Sequence, residues 1–226
     1  MNSKPERFYA WTRRRFCGTL AATTAIPLIP ASLFAEDLAA MPAMTEGPFY
    51  PDKLPLDTDN DLVVINDAAK PGLGTIAYLT GRVLDTKGNP VNNATVEIWQ
   101  CDNNGVYNHS LDSGRRPEKQ DTRFQGFGRT LTALDGAYNF RTIKPVVYPG
   151  RTPHIHLKVW VAGRDVLTSQ ILMKEAAAAN ARDGLARRLG DKLDLVVADF
   201  KKMPDSKIGS VHANFDIVLG KTPADR

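Results

Sequence analysis

Apolar and polar residues alternate with a period of two along several short stretches of this 226-residue chain, the pattern of β-strands that bury one face. Such stretches run over 79–84, 94–100, 128–134, 137–141, 154–161, 166–173 and 212–219. Turn signals punctuate them: Asp85-Thr86-Lys87-Gly88-Asn89-Pro90 after the first, Asp135-Gly136 after the third, and Gly163-Arg164-Asp165 after the fifth. The first two turns predict hairpins. One segment departs from this rhythm. Residues 175–189 are alanine-rich, with Glu175 at the start and Arg187 and Arg188 near the end, as a helix favours, and Gly190 marks its stop. Many short strands, frequent turns and one peripheral helix predict an all-β fold, an antiparallel β-sandwich, over residues 79–226. Ahead of it, residues 41–78 read as an extended arm and wrapping loops, because Pro48 and Pro51 exclude helix.

Residues 1–40 have a different character. Thr12-Arg13-Arg14-Arg15-Phe16 precedes a weakly apolar run from Gly18 to Phe34 that Pro27 and Pro30 interrupt. The run is too short and broken for a stable membrane span; it predicts a twin-arginine-type export signal and a periplasmic or secreted destination. Cys17 falls inside that segment, which leaves Cys101 as the one cysteine of the processed chain and rules out an internal disulfide there. Cys101 is expected to behave as a small buried hydrophobe. The net charge of +4 is small and sits partly in the N-terminal segment, so it carries no nucleic-acid footprint.

The candidate chemistry lies in the fifth stretch and the loop before it. Ile155, Leu157, Val159 and Val161 share one face of the expected strand, and His154 and His156 share the other. Two imidazoles on one face suit zinc, copper, nickel or iron. Phenolate narrows the choice, since a hard anionic donor best matches a trivalent ion, and a strongly charged metal can draw off the phenol proton at neutral pH. Tyr148 and Arg151 stand in the preceding loop, and Tyr107 in a separate one. A cupin-type His-x-His site also needs a glutamate a few residues on, and Leu157-Lys158-Val159-Trp160 supplies none. Tyr138 and His212 are expected to be structural, His109 to be a solvated loop histidine, Arg123 and Arg129 to salt-bridge at the surface, and Tyr50 either to line a pocket or to pin the arm.

Taken in order, the motifs Gly47-Pro48-Phe49-Tyr50, Glu97-Ile98-Trp99-Gln100-Cys101-Asp102-Asn103-Asn104-Gly105-Val106-Tyr107, Phe140-Arg141-Thr142-Ile143-Lys144-Pro145, Tyr148-Pro149, Arg151-Thr152-Pro153-His154-Ile155-His156 and Phe215-Asp216-Ile217-Val218-Leu219 resemble the intradiol ring-cleavage dioxygenases, in particular the protocatechuate 3,4-dioxygenase β chains. The resemblance covers, in order, most of the chain that follows the N-terminal segment. It implies a β-sandwich and non-haem Fe(III) held by Tyr107, Tyr148, His154 and His156. It further implies Arg151 beside the substrate, Gln170 orienting that arginine, and Tyr148 as the ligand that a catechol-type substrate displaces before O2 attacks the ring. A homo- or hetero-oligomer would fit the family. Two departures stand out. Gly150 follows the Tyr-Pro pair where the protocatechuate enzymes carry a bulky tryptophan, and Glu175-Ala176-Ala177-Ala178-Ala179 replaces a Gly-Asp-Pro-type loop. The rival expectation is a non-enzymatic binding module of the transthyretin-like or carboxypeptidase-regulatory-like kind, which shares the pattern around Gly81-Arg82-Val83-Leu84-Asp85.

Overall fold

The computed structural model describes residues 37–66 and 69–220; the expected export segment lies almost wholly outside them. Among the described residues, ten strands form two five-stranded sheets. In the first, β1 (Ile76–Asp85) pairs antiparallel with β4 (Ala137–Ile143) and parallel with both β9 (Val211–Asn214) and β10 (Ile217–Leu219), while the short β8 (Lys201–Lys202) pairs with β9. The second runs β3 (Phe127–Leu131), β2 (Thr95–Trp99), β5 (His154–Val161), β6 (Arg164–Met173) and β7 (Val197–Ala198). Its last pair is parallel and the others antiparallel. The β-rich class matches expectation, whereas the sheets are mixed rather than antiparallel.

Both expected early hairpins are corrected. β1 and β2 belong to different sheets, as do β3 and β4. Each turn is nonetheless tight. Asp85 accepts from the backbone of Lys87 and Asn89, and Gly136 N–H donates to the Ala133 carbonyl. A short turn therefore fixes a change of direction but not the pairing partner. Strands this short gain more by burying their apolar faces against the opposite sheet. Leu79, Val83, Phe140 and Ile143 of the first sheet and Val96, Ile98, Ile155, Leu157 and Ile171 of the second share one core, and that burial dominates the energetics. The β5–β6 connection is a true hairpin, turning through Ala162 and Gly163, both at positive φ, as a two-residue primed turn requires.

The expected last strand is interrupted between β9 and β10. There Gly81 lies directly against the Phe215 carbonyl, and Arg82 N–H donates to the Asp216 side chain instead of to a neighbouring strand. The expected single helix is likewise broken into α1 (Ala177–Asn180) and α2 (Gly184–Arg187), flanked by 3-10 turns at Lys174–Ala176 and Gly190–Val196. Its polar residues explain the break. The Asn180 amide donates to the Met173 carbonyl, and Asp183 accepts from the backbone of Leu185 and Ala186 as the N-cap of α2. Side chains of this kind offer the backbone an alternative to continuous helix.

The arm runs along the polar face of β5 and β6. Met44 N–H donates to the Thr168 carbonyl, Ser169 to the Pro42 carbonyl and the Gln170 amide to the Thr45 carbonyl. Lys158 projects from the histidine face of β5, is almost fully buried, pairs with Glu46 and lies 4.4 Å above the Tyr50 ring. Tyr50 donates to Glu97, which also accepts from the Trp160 indole. Tyr50 thus pins the arm.

Candidate active site

Three of the expected donors converge. The Tyr107 hydroxyl lies 3.2 Å from Nε2 of His154 and 3.2 Å from Nε2 of His156, and the two Nε2 atoms are 3.1 Å apart. They arrive by two local devices, a strand and a loop. Alternation along β5 sends Ile155, Leu157 and Val159 into the main core and both histidines to the opposite face, where they are also buried. The register sets His156 between Trp99 on β2 and Gln170 on β6, and the Trp99 ring stacks on its imidazole at 4.8 Å and 9°.

Tyr107 comes from the long loop between β2 and β3, which two buried aspartates organise. Asp102 accepts from the backbone of Asn104, Val106 and Asp121. Asp112 accepts from Tyr107 N–H and is clamped by Arg116. Trp99, Cys101, Tyr107 and Phe127 then form a second, smaller apolar cluster behind the donors. Cys101 is buried there, and burial raises its thiol to about 12, so it acts as packing.

Tyr148 and Arg151 flank a turn. Arg151 N–H donates to the Tyr148 carbonyl, with Pro149 and the left-handed Gly150 between, the residue types of a type II turn. The Tyr148 ring meets the Tyr107 ring edge-on at 5.5 Å. Tyr148 therefore shares the cavity with the other three, though its hydroxyl is not within hydrogen-bonding distance of them. Arg151 donates through Nε to Asp183 (2.7 Å) and through Nη2 to Gln170 (2.6 Å). The cavity these groups line, with Thr45, Gly47, Pro48, Phe49, Pro149 and Leu185, measures about 370 Å³. An apolar cavity of ~150 Å³ already holds benzene, so a substituted ring fits. Phe49 of the arm stacks on Tyr107 at 4.8 Å, and Gly47 comes so close that a Cβ would lie 3.2 Å from the His156 ring.

The electrostatics make both imidazoles neutral donors. Burial, reinforced by the Arg151 charge, lowers His154 to about 4. Burial, then His154 and Arg151, holds His156 well below the ordinary histidine value. Nδ1 of His154 lies 2.6 Å from the Thr152 carbonyl, which can only accept, so the proton sits on Nδ1 and the Nε2 lone pair faces the cavity. That is the tautomer of a metal-bound histidine. Burial pushes the Tyr107 phenol well above its usual value and the Tyr148 phenol upward; only a strong local positive charge would turn them into phenolates. Nitrogen and oxygen ligands sit ~2.0–2.2 Å from an ion such as zinc, and donors 3.1–3.2 Å apart have the spacing of groups sharing one such ion. Among the described residues no three His, Cys, Asp or Glu side chains converge in this way. The donor set is imidazole plus phenol, and it fits a hard, highly charged metal.

A family model described as "Dioxygenase" matches residues 45–221, from the arm through the last strand. The chain belongs to the intradiol ring-cleavage dioxygenase family. It is 42% identical over 115 residues to the protocatechuate 3,4-dioxygenase beta chain of Burkholderia cepacia, covering 47% of this chain and 46% of that protein. It is 30% identical over 146 residues to the hydroxyquinol 1,2-dioxygenase of Corynebacterium glutamicum, covering 57% and 44%. The matches thus span less than half the length of these two relatives. Among solved structures, the dioxygenase domain of a dioxygenase carbohydrate-binding protein fusion from Streptomyces sp. SirexAA-E superposes with a TM-score of 0.61 at 27% identity, over 81% of this chain and all of that one.

Within this intradiol family fold, the structure adds Asp183, Thr152, Asn180 and Trp99 to the residues read from the sequence. Asp183 and Asn180 lay hidden inside a run read as continuous helix, although Asp183-Gly184 is itself an N-cap signal. Trp99 gave no signal, because its stacking on His156 depends on strand register. One expected role changes, that of the solvated loop histidine. His109 is buried, accepts from Leu111 N–H and packs edge-on against Phe49. His212 bonds the Thr80 hydroxyl within the first sheet, and Tyr138 donates to the Phe215 carbonyl, both structural as expected.

Proposed function

We propose that this chain is a non-haem Fe(III) enzyme that cleaves a catechol-type ring between its two hydroxyl-bearing carbons with O2, giving a muconate-type diacid. The observation that carries this reading is the convergence of the Tyr107 hydroxyl and the Nε2 atoms of His154 and His156 within 3.2 Å of one another in a ring-sized cavity. Tyr107, Tyr148, His154 and His156 would hold the iron. Bound ferric iron would withdraw electron density from a catecholate and open its ring to dioxygen.

The chain's own groups do the rest. Tyr148, half-buried on its turn, would take up a proton at Oη as a substrate hydroxyl enters. Arg151 would face the negative charge that develops on the ring, and Asp183 and Gln170 hold its guanidinium in one orientation. Phe49, Pro48, Pro149 and Leu185 would shield the reacting ring from bulk water.

Oxygen uptake by the iron-loaded protein with catechol, protocatechuate and hydroxyquinol, combined with product spectra, tests the reading. One O2 consumed per ring, with an intradiol diacid as product, is expected from at least one of them. No uptake on any of the three, or cleavage outside the diol, would contradict it. Export through a twin-arginine route is part of the same proposal, supported by Thr12-Arg13-Arg14-Arg15-Phe16 and the apolar run that follows.

A further inference from the structure

Which catechols this cavity takes follows from where its charges lie. Arg151 is the one Lys or Arg side chain lining the cavity among the described residues. Its charge is already balanced. Asp183, whose side chain is fully buried, accepts from Nε at 2.7 Å, and Gln170 occupies Nη2 at 2.6 Å. Asp183 is itself fixed by Thr152 N–H and by the two backbone donors of α2, so it has no freedom to swing away and release the arginine.

Other nearby cations are also committed. Arg116 is clamped to Asp112, and Lys158 to Glu46 and the Tyr50 ring. Apart from the donor residues and Arg151, the wall is uncharged: Thr45, Gly47, Pro48, Phe49, Pro149, Gly150 and Leu185. It opens at Gly150, where an added Cβ would meet nothing within 4 Å. A ring carboxylate entering here would lose its water and find no free counterion. Burying an anion on those terms is strongly unfavourable. An uncharged substituent has no such cost, and the open space at Gly150 gives it room.

We infer that this site selects uncharged catechols, with hydrogen or a neutral substituent on the ring, over catechols that carry a ring carboxylate. The inference rests on the catechol-cleaving reading above. It also runs against the substrate named for the Burkholderia cepacia relative.

A matched pair of ligands isolates the charge: protocatechuate and its methyl ester, which keep the same diol and differ in one ionised group. Titration of the iron-loaded full chain under anaerobic conditions at pH 7, followed by calorimetry, should give a Kd for the ester at least tenfold lower than for the acid. Oxygen uptake should favour 4-methylcatechol over protocatechuate in kcat/KM by a similar factor. Leu185→Arg, which adds a cation to the wall while leaving the backbone bond from residue 185 to Asp183 in place, should shift the acid-to-ester preference at least tenfold toward the acid. Acid binding as tightly as the ester, together with ring cleavage, would overturn the selectivity and leave the dioxygenase reading standing. Binding of neither ligand would overturn both.

Discussion

Asp183 ties together the arginine, the histidine and the wall of the cavity. One carboxylate oxygen accepts from Arg151 Nε and Thr152 N–H, and the other caps α2. The Thr152 carbonyl in turn fixes the His154 proton on Nδ1. Removing one partner of a buried ion pair costs ~3–5 kcal/mol, and Arg151 retains slight exposure, so Asp183→Ala should lose about 3 kcal/mol in urea unfolding at pH 7. Burial acts to raise this carboxyl, but the Ala186 and Thr152 amides and Arg151 outweigh it and hold the group below the ordinary aspartate value. A carboxyl depressed in the folded state stabilises fully above its unfolded pKa of ~3.9 and loses that contribution as pH falls through the folded value. The stability gap between wild type and Asp183→Ala should therefore be constant from pH 7 to 5 and shrink below pH 4. A gap that grew with acid would contradict the assignment. Among single residues, those that carry their own chemistry in a local motif were legible: His154 and His156 by alternation, Tyr148 and Arg151 by their place in the loop just before that strand. Asp183 and Trp99 were not, because their roles exist only once distant elements are packed together.

At the scale of elements, alternation located the principal strands, since one buried face leaves a period of two whatever the strand pairs with. Pairing was not legible. The turns at Asp85–Pro90 and Asp135–Gly136 look the same whether the chain folds back on itself or crosses to the facing sheet, and here both cross. Gly81 marks the point where β9 gives way to β10. A Cβ there would lie 1.9 Å from the Phe215 carbonyl oxygen, which is backbone and cannot rotate aside. Gly81→Ala should thus cost ~3 kcal/mol or more, the top of the usual range for overpacking, and lower the thermal midpoint. Gly163→Ala meets no atom within 4 Å and should cost only its positive-φ strain, ~1–2 kcal/mol. Equal losses would show that the Gly81 contact is not tight.

Over the whole molecule, two sheets share one core while the arm from Met41 to Tyr50 crosses the polar face of β5 and β6 and closes one side of the cavity. Arm, loop, turn and strand each contribute, so the site depends on the complete fold and no single motif contains it. Export through the proposed twin-arginine route would act on the whole chain. Replacing Arg13 and Arg14 together by Lys should leave the full-length precursor in the cytoplasmic fraction, whereas efficient export of that variant would refute a twin-arginine route. Tyr107 and the two histidines are the proposed ferric-iron ligands. The visible spectrum of the purified protein after ferric reconstitution tests that assignment most directly. The wild-type chain should bind one iron and turn red-brown through tyrosinate-to-iron charge transfer, and Tyr107→Phe should fold yet lose most of that iron or shift the band markedly. A colourless, iron-free wild-type protein, or a Tyr107→Phe variant with unchanged iron content and spectrum, would contradict it.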